Sequence, residues 1–224
     1  MSELIFQDWG LIAYDEALRR QEELVQKVAD EKSAGYLIAC QHPPTVTLGR
    51  KTTAEDLTGW SGPTFEIARG GRATYHGPSQ IVIYPIWNLD FPRTGLPGRD
   101  LHWYLRSLEE VMVRAVAEYG IEAQGRSLQA KDPGVEPATE ETGVWVGREK
   151  LASIGIGVRR WVTFHGLAMN VLDDPSAFQG IRPCGFNTNV MTSLERLLGR
   201  PVEIADTQTK LLRHFAGVFQ STLI

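Results

Sequence analysis

Hydrophobic residues recur at helical spacing in three long stretches of the chain. Residues 14–32 carry them every three or four positions, with acidic residues in the first turn, where negative charge favours a helix start. Residues 99–119 and 207–219 repeat this pattern, and Gly120 follows the second stretch as a C-cap. The spacing therefore predicts three amphipathic helices, each with one buried face.

A shorter helix is predicted over residues 192–198. Thr192 and Glu195 have the three-residue spacing of a capping box, in which each side chain binds the other residue's backbone N–H. Gly199 follows the last apolar position, where glycine commonly ends a helix.

Short apolar segments rich in β-branched residues predict strands elsewhere. They cover residues 36–40, 45–48, 65–69, 81–87, 144–146, 151–158 and 161–171, and the last three form a predicted meander. Several lie too close together in sequence for helical crossovers, which favours an α+β fold with a mixed, largely antiparallel sheet flanked by helices. The polar segment Ser127–Gly143 is predicted to be a surface loop within a single domain spanning residues 1–224.

Composition narrows the function classes. The chain is 42% hydrophobic and 22% charged, with a formal net charge of -4, which argues against a general nucleic-acid binder. No apolar run is long enough to cross a bilayer, and the N-terminal residues do not have the pattern of a secretory signal. Only two cysteines are present, which excludes a disulfide framework. We therefore expect a cytoplasmic protein that neither enters a membrane nor binds nucleic acid.

The two cysteines have different surroundings. Cys40 ends an apolar run and is expected to be a small buried hydrophobe. Cys184 lies between Pro183 and Gly185, two residues from Arg182, in a sharp loop where we expect a partly exposed thiol of lowered pKa. Its local sequence leaves open whether it is a nucleophile or an ordinary loop thiol.

A thiol nucleophile needs a base or a neighbouring cation, because little of it is thiolate at neutral pH. His76 and His165 lie in segments that could line a pocket, and either could be the base. Neither has a neighbouring acid or amide that would mark a Cys-His triad, so spacing alone does not decide between them.

Glycines thin two neighbouring predicted strands at similar places, within residues 153–157 and 166–168. This pattern is typical of a groove for a slender substrate, but it also fits tight packing or a bulge. The segment Arg69–Pro78 is rich in glycine and arginine, yet it matches neither common nucleotide-binding motif.

Read together, five motifs resemble the octanoyltransferase family of lipoate biosynthesis. In order, they are His42-Pro43-Pro44-x-x-Thr47-x-Gly49-Arg50, Arg69-Gly70-Gly71 with His76-Gly77-Pro78, Gly147-x-x-Lys150-x-Ala152-Ser153-Ile154-Gly155, Phe164-His165-Gly166-x-Ala168-x-Asn170, and Pro183-Cys184-Gly185. The resemblance extends from about residue 40 to residue 190 of the chain.

The resemblance implies a fold shared with the catalytic domains of biotin and lipoate ligases. It implies transfer of an octanoyl group from octanoyl-acyl carrier protein to a lysine of a lipoyl domain, such as those of 2-oxoacid dehydrogenase E2 subunits or the glycine cleavage H protein. Cys184 would carry the acyl thioester, and Lys150 would lower its pKa and act as general base. No cofactor or metal is implied. The implied acyl pocket comprises Arg69, Gly70, Gly71, Arg72, Ala73, Thr74, Tyr75, His76, Ser153, Ile154, Gly155, Gly166, Leu167 and Ala168.

Two other functions fit parts of the pattern. A lipoate–protein ligase would share the fold but activate a free acid with ATP, and it would need no cysteine nucleophile. A non-catalytic module that binds acyl groups or lipoyl domains would leave Cys184 with a structural role only.

Overall fold

The computed structural model describes residues 2–126 and 142–224, which form an eight-stranded sheet, a three-stranded sheet and four helices. The helices are α1 (Tyr14–Glu31), α2 (Leu101–Ala117), α3 (Leu194–Leu198) and α4 (Ile204–Val218). The large sheet has the order β11 (Ser221–Leu223), β1 (Ser2–Leu11), β2 (Gly35–Gln41), β6 (Gln80–Trp87), β10 (Val162–Asn170), β9 (Glu149–Arg159), β8 (Gly143–Val146) and β7 (Gln124–Gly125). The small sheet has the order β4 (Thr64–Glu66), β3 (Thr45–Leu48) and β5 (Thr74–His76).

The large sheet is mixed and largely antiparallel, which confirms the predicted fold class. Strands β11, β1 and β2 are parallel, and from β2 to β7 every neighbouring pair is antiparallel. The predicted meander is β8, β9 and β10. Arg160 and Trp161 join β9 to β10, both with the positive φ that two-residue hairpin turns favour.

Helices cover both faces of the large sheet. Helices α2 and α4 pack on one face over the larger apolar core, and α1 packs on the other face over β6 and β10. The buried side of α1 repeats at helical spacing, as predicted, but Gln21 occupies one of its positions. A buried amide therefore faces the sheet on the side of α1.

Several strands differ from the sequence-based expectations. Strands β1 and β11 were not predicted, because they have few buried apolar positions. Strand β5 was not predicted either, since glycine and arginine dominate the segment before it. The strand predicted over residues 65–69 is shorter in the structure, where β4 ends at Glu66. Most of the predicted loop, residues 127–141, lies outside the described residues, and Gly143 begins β8.

The predicted capping box at α3 is wrong by one residue. Ser193 is the N-cap, and its hydroxyl accepts a hydrogen bond from the Arg196 N–H at 3.2 Å. Glu195 instead accepts from the Asp173 N–H at 2.8 Å. Thr192 lies one residue before the capping position, where its N–H donates to the Lys150 carbonyl at 3.1 Å.

Candidate active site

A cavity lies between α1, strands β6, β9 and β10, the segment 69–76 and Cys184. About 480 Å³ of space not filled by atoms lies within it and at its mouth, part of it open solvent. Its lining residues are Tyr14, Arg69, Gly71, Thr74, His76, Val82, Tyr84, Ser153, Ile154, Gly155, His165, Gly166, Leu167, Ala168 and Cys184. The structure therefore brings Cys184 together with most of the predicted pocket residues, including all six from β9 and β10.

Four residues of the predicted pocket segment do not line the cavity. Thr74 and His76 face the cavity from β5, whereas Tyr75 points away and packs against Trp60 and Phe178 at ring-centroid distances of 5.8 and 5.3 Å. Side chains alternate along a strand, so a run of consecutive residues cannot all face one pocket. Gly70 and Ala73 contribute backbone contacts instead: the Gly70 N–H donates to the Ile156 carbonyl at 3.1 Å.

Arg72, the fourth of these, belongs to an ion pair beside the cavity. Its Nη2 lies 2.6 Å from the Asp56 Oδ1, and its Nε donates to the other carboxylate oxygen at 3.1 Å. The Asp56 carboxylate, followed by Glu55 and the Cys184 thiol, raises the pKa of Arg72. Arg72 is thus a fixed positive charge near Cys184 rather than part of the cavity wall.

Cys184 lies in a single 3₁₀ turn, Pro183–Gly185, and has a φ of 54°. Positive φ is uncommon outside glycine and persists only where surrounding contacts hold it. Here the Cys184 N–H donates to the Ala73 carbonyl at 2.8 Å and fastens the turn to the segment before β5. The expected partial exposure is wrong: Cys184 is 7% exposed, because this turn closes one side of the cavity.

Lys150 is completely buried near the start of β9. Its Nζ lies 5.5 Å from the Trp145 ring and 5.7 Å from the ring of Phe186, two residues beyond Cys184. Its carbonyl accepts from the Thr192 N–H, as described above. Lys150 does not line the cavity, but it packs against the segment that carries Cys184.

Arg69 forms the buried wall of the cavity. Its guanidinium donates to the carbonyls of Gly70 and Arg72, each at 2.9 Å, and to the Thr47 carbonyl and hydroxyl at 3.0 and 2.9 Å. A Cβ at Gly155 would lie only 2.7 Å from the Arg69 Cδ. This glycine therefore makes room for the arginine that holds the glycine-rich segment in place.

Gly155 and Gly166 are directly paired across β9 and β10. A Cβ at Gly166 would lie 2.1 Å from the Ile83 carbonyl oxygen on β6. The two explanations left open by the sequence are thus resolved in favour of packing: both glycines accommodate protein atoms, although both also line the cavity.

Burial keeps the histidines around the cavity neutral. It lowers the pKa of His165 to about 3, with Arg69 contributing in the same direction. Burial also holds the pKa of His76 well below its ordinary value, with further contributions from His42 and Arg69. His42 is bonded to the Ile12 carbonyl and the Tyr84 hydroxyl at 2.8 and 2.7 Å, and burial lowers its pKa to about 4.

Cys40 is the buried hydrophobe predicted for it, at 1% exposure, and burial raises its pKa. Three cavity residues were missed by sequence reasoning: Tyr14, Val82 and Tyr84. All three belong to patterns that indicated core packing, so no local signal separated them from the core.

Across residues 2–126 and 142–224, no helix is both long enough and apolar enough to cross a membrane. Over the same residues, no cluster of three or more His, Cys, Asp or Glu side chains could hold a metal ion.

Solved structures with this architecture include lipoate and biotin ligases. A bipartite lipoate protein ligase from Thermoplasma acidophilum superposes with a TM-score of 0.70 and 15% identity, over 100% of this chain and 86% of that one. A biotin protein ligase from Aquifex aeolicus superposes with a TM-score of 0.51 and 10% identity, over 98% of this chain and 71% of the other. These likenesses confirm the fold that the sequence motifs implied.

Sequence similarity is much stronger to one group of enzymes. An octanoyltransferase from Bdellovibrio bacteriovorus is 50% identical over 219 residues, covering 97% of this chain and 100% of the relative. The family model described as the lipoyl protein ligase A/B catalytic domain matches residues 13–216. The chain is therefore an acyltransferase that belongs to the lipoyl protein ligase A/B catalytic domain family and, within it, to the octanoyltransferases.

Proposed function

We propose that this protein moves an octanoyl group from octanoyl-acyl carrier protein to a lysine of a lipoyl domain, through a thioester on Cys184. The observation that carries the proposal is a buried thiol in the wall of a partly apolar cavity, on a turn packed beside a buried lysine. The name shared by the close relatives supports octanoyl as the transferred group.

In the first step, the Cys184 thiolate attacks the carbonyl carbon of the donor thioester. The C–S bond to the carrier's sulfur breaks, that sulfur leaves with the electron pair as a thiolate, and the acyl group remains on Sγ. One thioester replaces another, so the step is reversible. The Cys184 N–H is already bonded to the Ala73 carbonyl, so the developing oxyanion must be stabilised by other donors.

In the second step, the amine of the acceptor lysine attacks the acyl-enzyme and displaces the Cys184 thiolate. An amide forms, and the amine loses a proton. In this proposal, Lys150 stabilises the thiolate as a cation and takes this proton when it is neutral. Its burial and its position beside the Phe186 ring, two residues beyond Cys184, support both roles. Conversion of a thioester to an amide is downhill and needs no ATP.

The cavity supports a medium-length chain as the acyl group. Val82, Ile154, Leu167 and Ala168 form an apolar wall along β6, β9 and β10. Seven carbons beyond the carbonyl, buried at about 0.8 kcal/mol each, would contribute on the order of 5 kcal/mol to binding.

Incubation with octanoyl-acyl carrier protein alone tests the proposal. Mass spectrometry of the wild type should show an octanoyl adduct that hydroxylamine removes, and Cys184→Ser should show none. Cys40→Ala is the matched control, because it removes the chain's other thiol and should keep the adduct. An unmodified wild type would contradict the covalent mechanism, and octanoylation of a lipoyl domain only from free octanoate with ATP would favour a ligase.

A further inference from the structure

His165 interrupts the regular alternation of β10. It has a φ of 57°, and its ring centroid lies 4.6 Å from that of Phe164. Neighbouring side chains on a regular strand point to opposite faces of the sheet. Because these two rings touch, the backbone turn at His165 places both on the α1 face, where His165 lines the cavity.

Pro85 of β6 accounts for the interruption. Proline has no N–H for a sheet ladder and is therefore confined to edges and bulges. The paired register of β10 and β6 covers residues 167–170 against residues 80–83 and does not reach Pro85. The Thr163 hydroxyl donates to the Pro85 carbonyl at 2.9 Å, in place of a backbone group. His165 occupies the irregular stretch between these two contacts.

A hydrogen bond to α1 holds His165 in this conformation. The His165 N–H donates to the Gln21 Oε1 at 2.8 Å, which explains the buried amide in the apolar stripe of that helix. Two elements therefore cooperate to hold one imidazole against the cavity.

This end of the cavity carries unused hydrogen-bonding groups. Neither ring nitrogen of His165 has a partner among the described residues, and neither does the Nε2 of Gln21, whose Oε1 accepts from the His165 N–H. His165 is 3% exposed and Gln21 is fully buried, so bulk water does not reach them freely. Buried polar atoms are normally paired, and a cluster without partners on a cavity wall indicates that a ligand or ordered water completes it.

The strand register places this cluster at the end of the cavity away from Lys150. The paired residues run from Ser153 with Ala168 to Ile156 with His165, and Lys150 precedes Ser153 on β9. Three residues of strand span about 10 Å. An extended eight-carbon chain spans about 9 Å, at roughly 1.5 Å per bond with near-tetrahedral angles. The Cys184 segment contacts Lys150 through Phe186, so an acyl chain attached to Cys184 starts near this end and brings its far end to His165.

We propose that His165 forms a polar subsite at the inner end of the acyl cavity, which accepts chains carrying a hydroxyl group at the far end. This inference rests on the proposed function, since it uses the cavity as an acyl site. A neutral imidazole has one donor and one acceptor, which point in different directions, and a hydroxyl group can pair with either of them. An unsubstituted octanoyl chain leaves these atoms to ordered water.

Two donors of equal length test the subsite in the wild type. The 8-hydroxyoctanoyl and nonanoyl thioesters differ only in having a hydroxyl or a methyl group at the end, and the octanoyl thioester is run beside them. An apolar end would favour nonanoyl, because a buried hydroxyl without a partner is costly. The subsite predicts that kcat/KM for 8-hydroxyoctanoyl exceeds that for nonanoyl by about fivefold.

A variant pair assigns the effect to the imidazole. His165→Leu should lower the ratio of the two kcat/KM values by about tenfold or more. His165→Asn should keep the ratio near the wild-type value, because asparagine can hydrogen-bond and tolerates positive φ. His102→Leu makes the same change at an exposed position of α2 and should leave the ratio unchanged.

The outcomes separate the two proposals. Octanoyl transfer with nonanoyl preferred by the wild type overturns the subsite alone, and so does a ratio that is unchanged in a folded His165→Leu. If His165→Leu does not fold, the wild-type comparison and His165→Asn still decide. Absence of transfer from all three thioesters overturns the proposed function and the subsite with it.

Discussion

Cys184 could be identified as a candidate functional residue from its local sequence, whereas Lys150 could not. The sequence around Cys184 marked a candidate thiol, whereas nothing in the spacing singled out Lys150 before the family resemblance did. In the fold, the two lie on different elements that meet through the Phe186 ring, 5.7 Å from the Lys150 Nζ. Proximity of this kind depends on the path of the chain and not on local pattern.

Replacement of Lys150 by methionine tests its role directly. Methionine keeps most of the buried volume and removes the amine, so we expect the rates of acylation and transfer to fall by about 10²-fold or more. Single-turnover assays with octanoyl-acyl carrier protein would measure the two steps separately. Cooperative unfolding by circular dichroism would show that the variant is folded.

Lys27→Met is the matched control, since Lys27 lies on the exposed side of α1. It should retain the wild-type rates. Wild-type rates in Lys150→Met would remove this lysine from the mechanism.

At the scale of elements, paired glycines explain how three strands and Arg69 pack so closely. Because Gly166 has no Cβ, the backbone of β6 can approach it closely. Gly155 leaves room for the Arg69 side chain in the same way. The sequence predicted the two thinned strands but not which atoms fill the space, because the filling atoms come from residues distant in sequence.

Gly166→Ala should destabilise the fold. Its Cβ would lie 2.1 Å from the Ile83 carbonyl oxygen, and backbone atoms cannot move aside cheaply. We expect a loss of about 1–3 kcal/mol in the free energy of unfolding, measured with urea. Gly217→Ala provides the contrast, because nothing lies within 4 Å of its added Cβ in α4, and it should be stabilising by about 0.5–1 kcal/mol. Equal stability of Gly166→Ala and the wild type would show that β6 and β10 can separate at this point.

The whole molecule buries three histidines close together, which links its stability to pH. His42, His76 and His165 lie between α1, the small sheet and the large sheet, and burial lowers the pKa of each. The unfolded chain binds protons on these side chains near the ordinary pKa of about 6.5, whereas the folded protein does not until far lower pH.

Stability should therefore fall as pH decreases from about 6.5 towards 4 and 3, the folded-state values for His42 and His165. Each such histidine contributes a slope of up to about 1.4 kcal/mol per pH unit, because the unfolded state binds more protons. Urea midpoints measured from pH 7.5 to pH 4 would show the decline, and His165→Asn should make it shallower. An identical slope in His165→Asn would mean that this imidazole protonates freely in the folded protein.

The sequence by itself determined the helices, the meander and the family motifs, because apolar periodicity and turn residues act over a few positions. The tertiary structure decided the pairing of β1 and β11 and the burial of Cys184. It also decided that Tyr75 packs away from the cavity and that His165 faces it. Each of these depends on contacts between residues far apart in the chain, such as Pro85 with Thr163 and Gln21 with His165. Side-chain direction follows from which neighbours a folded strand meets, and local pattern does not contain that information.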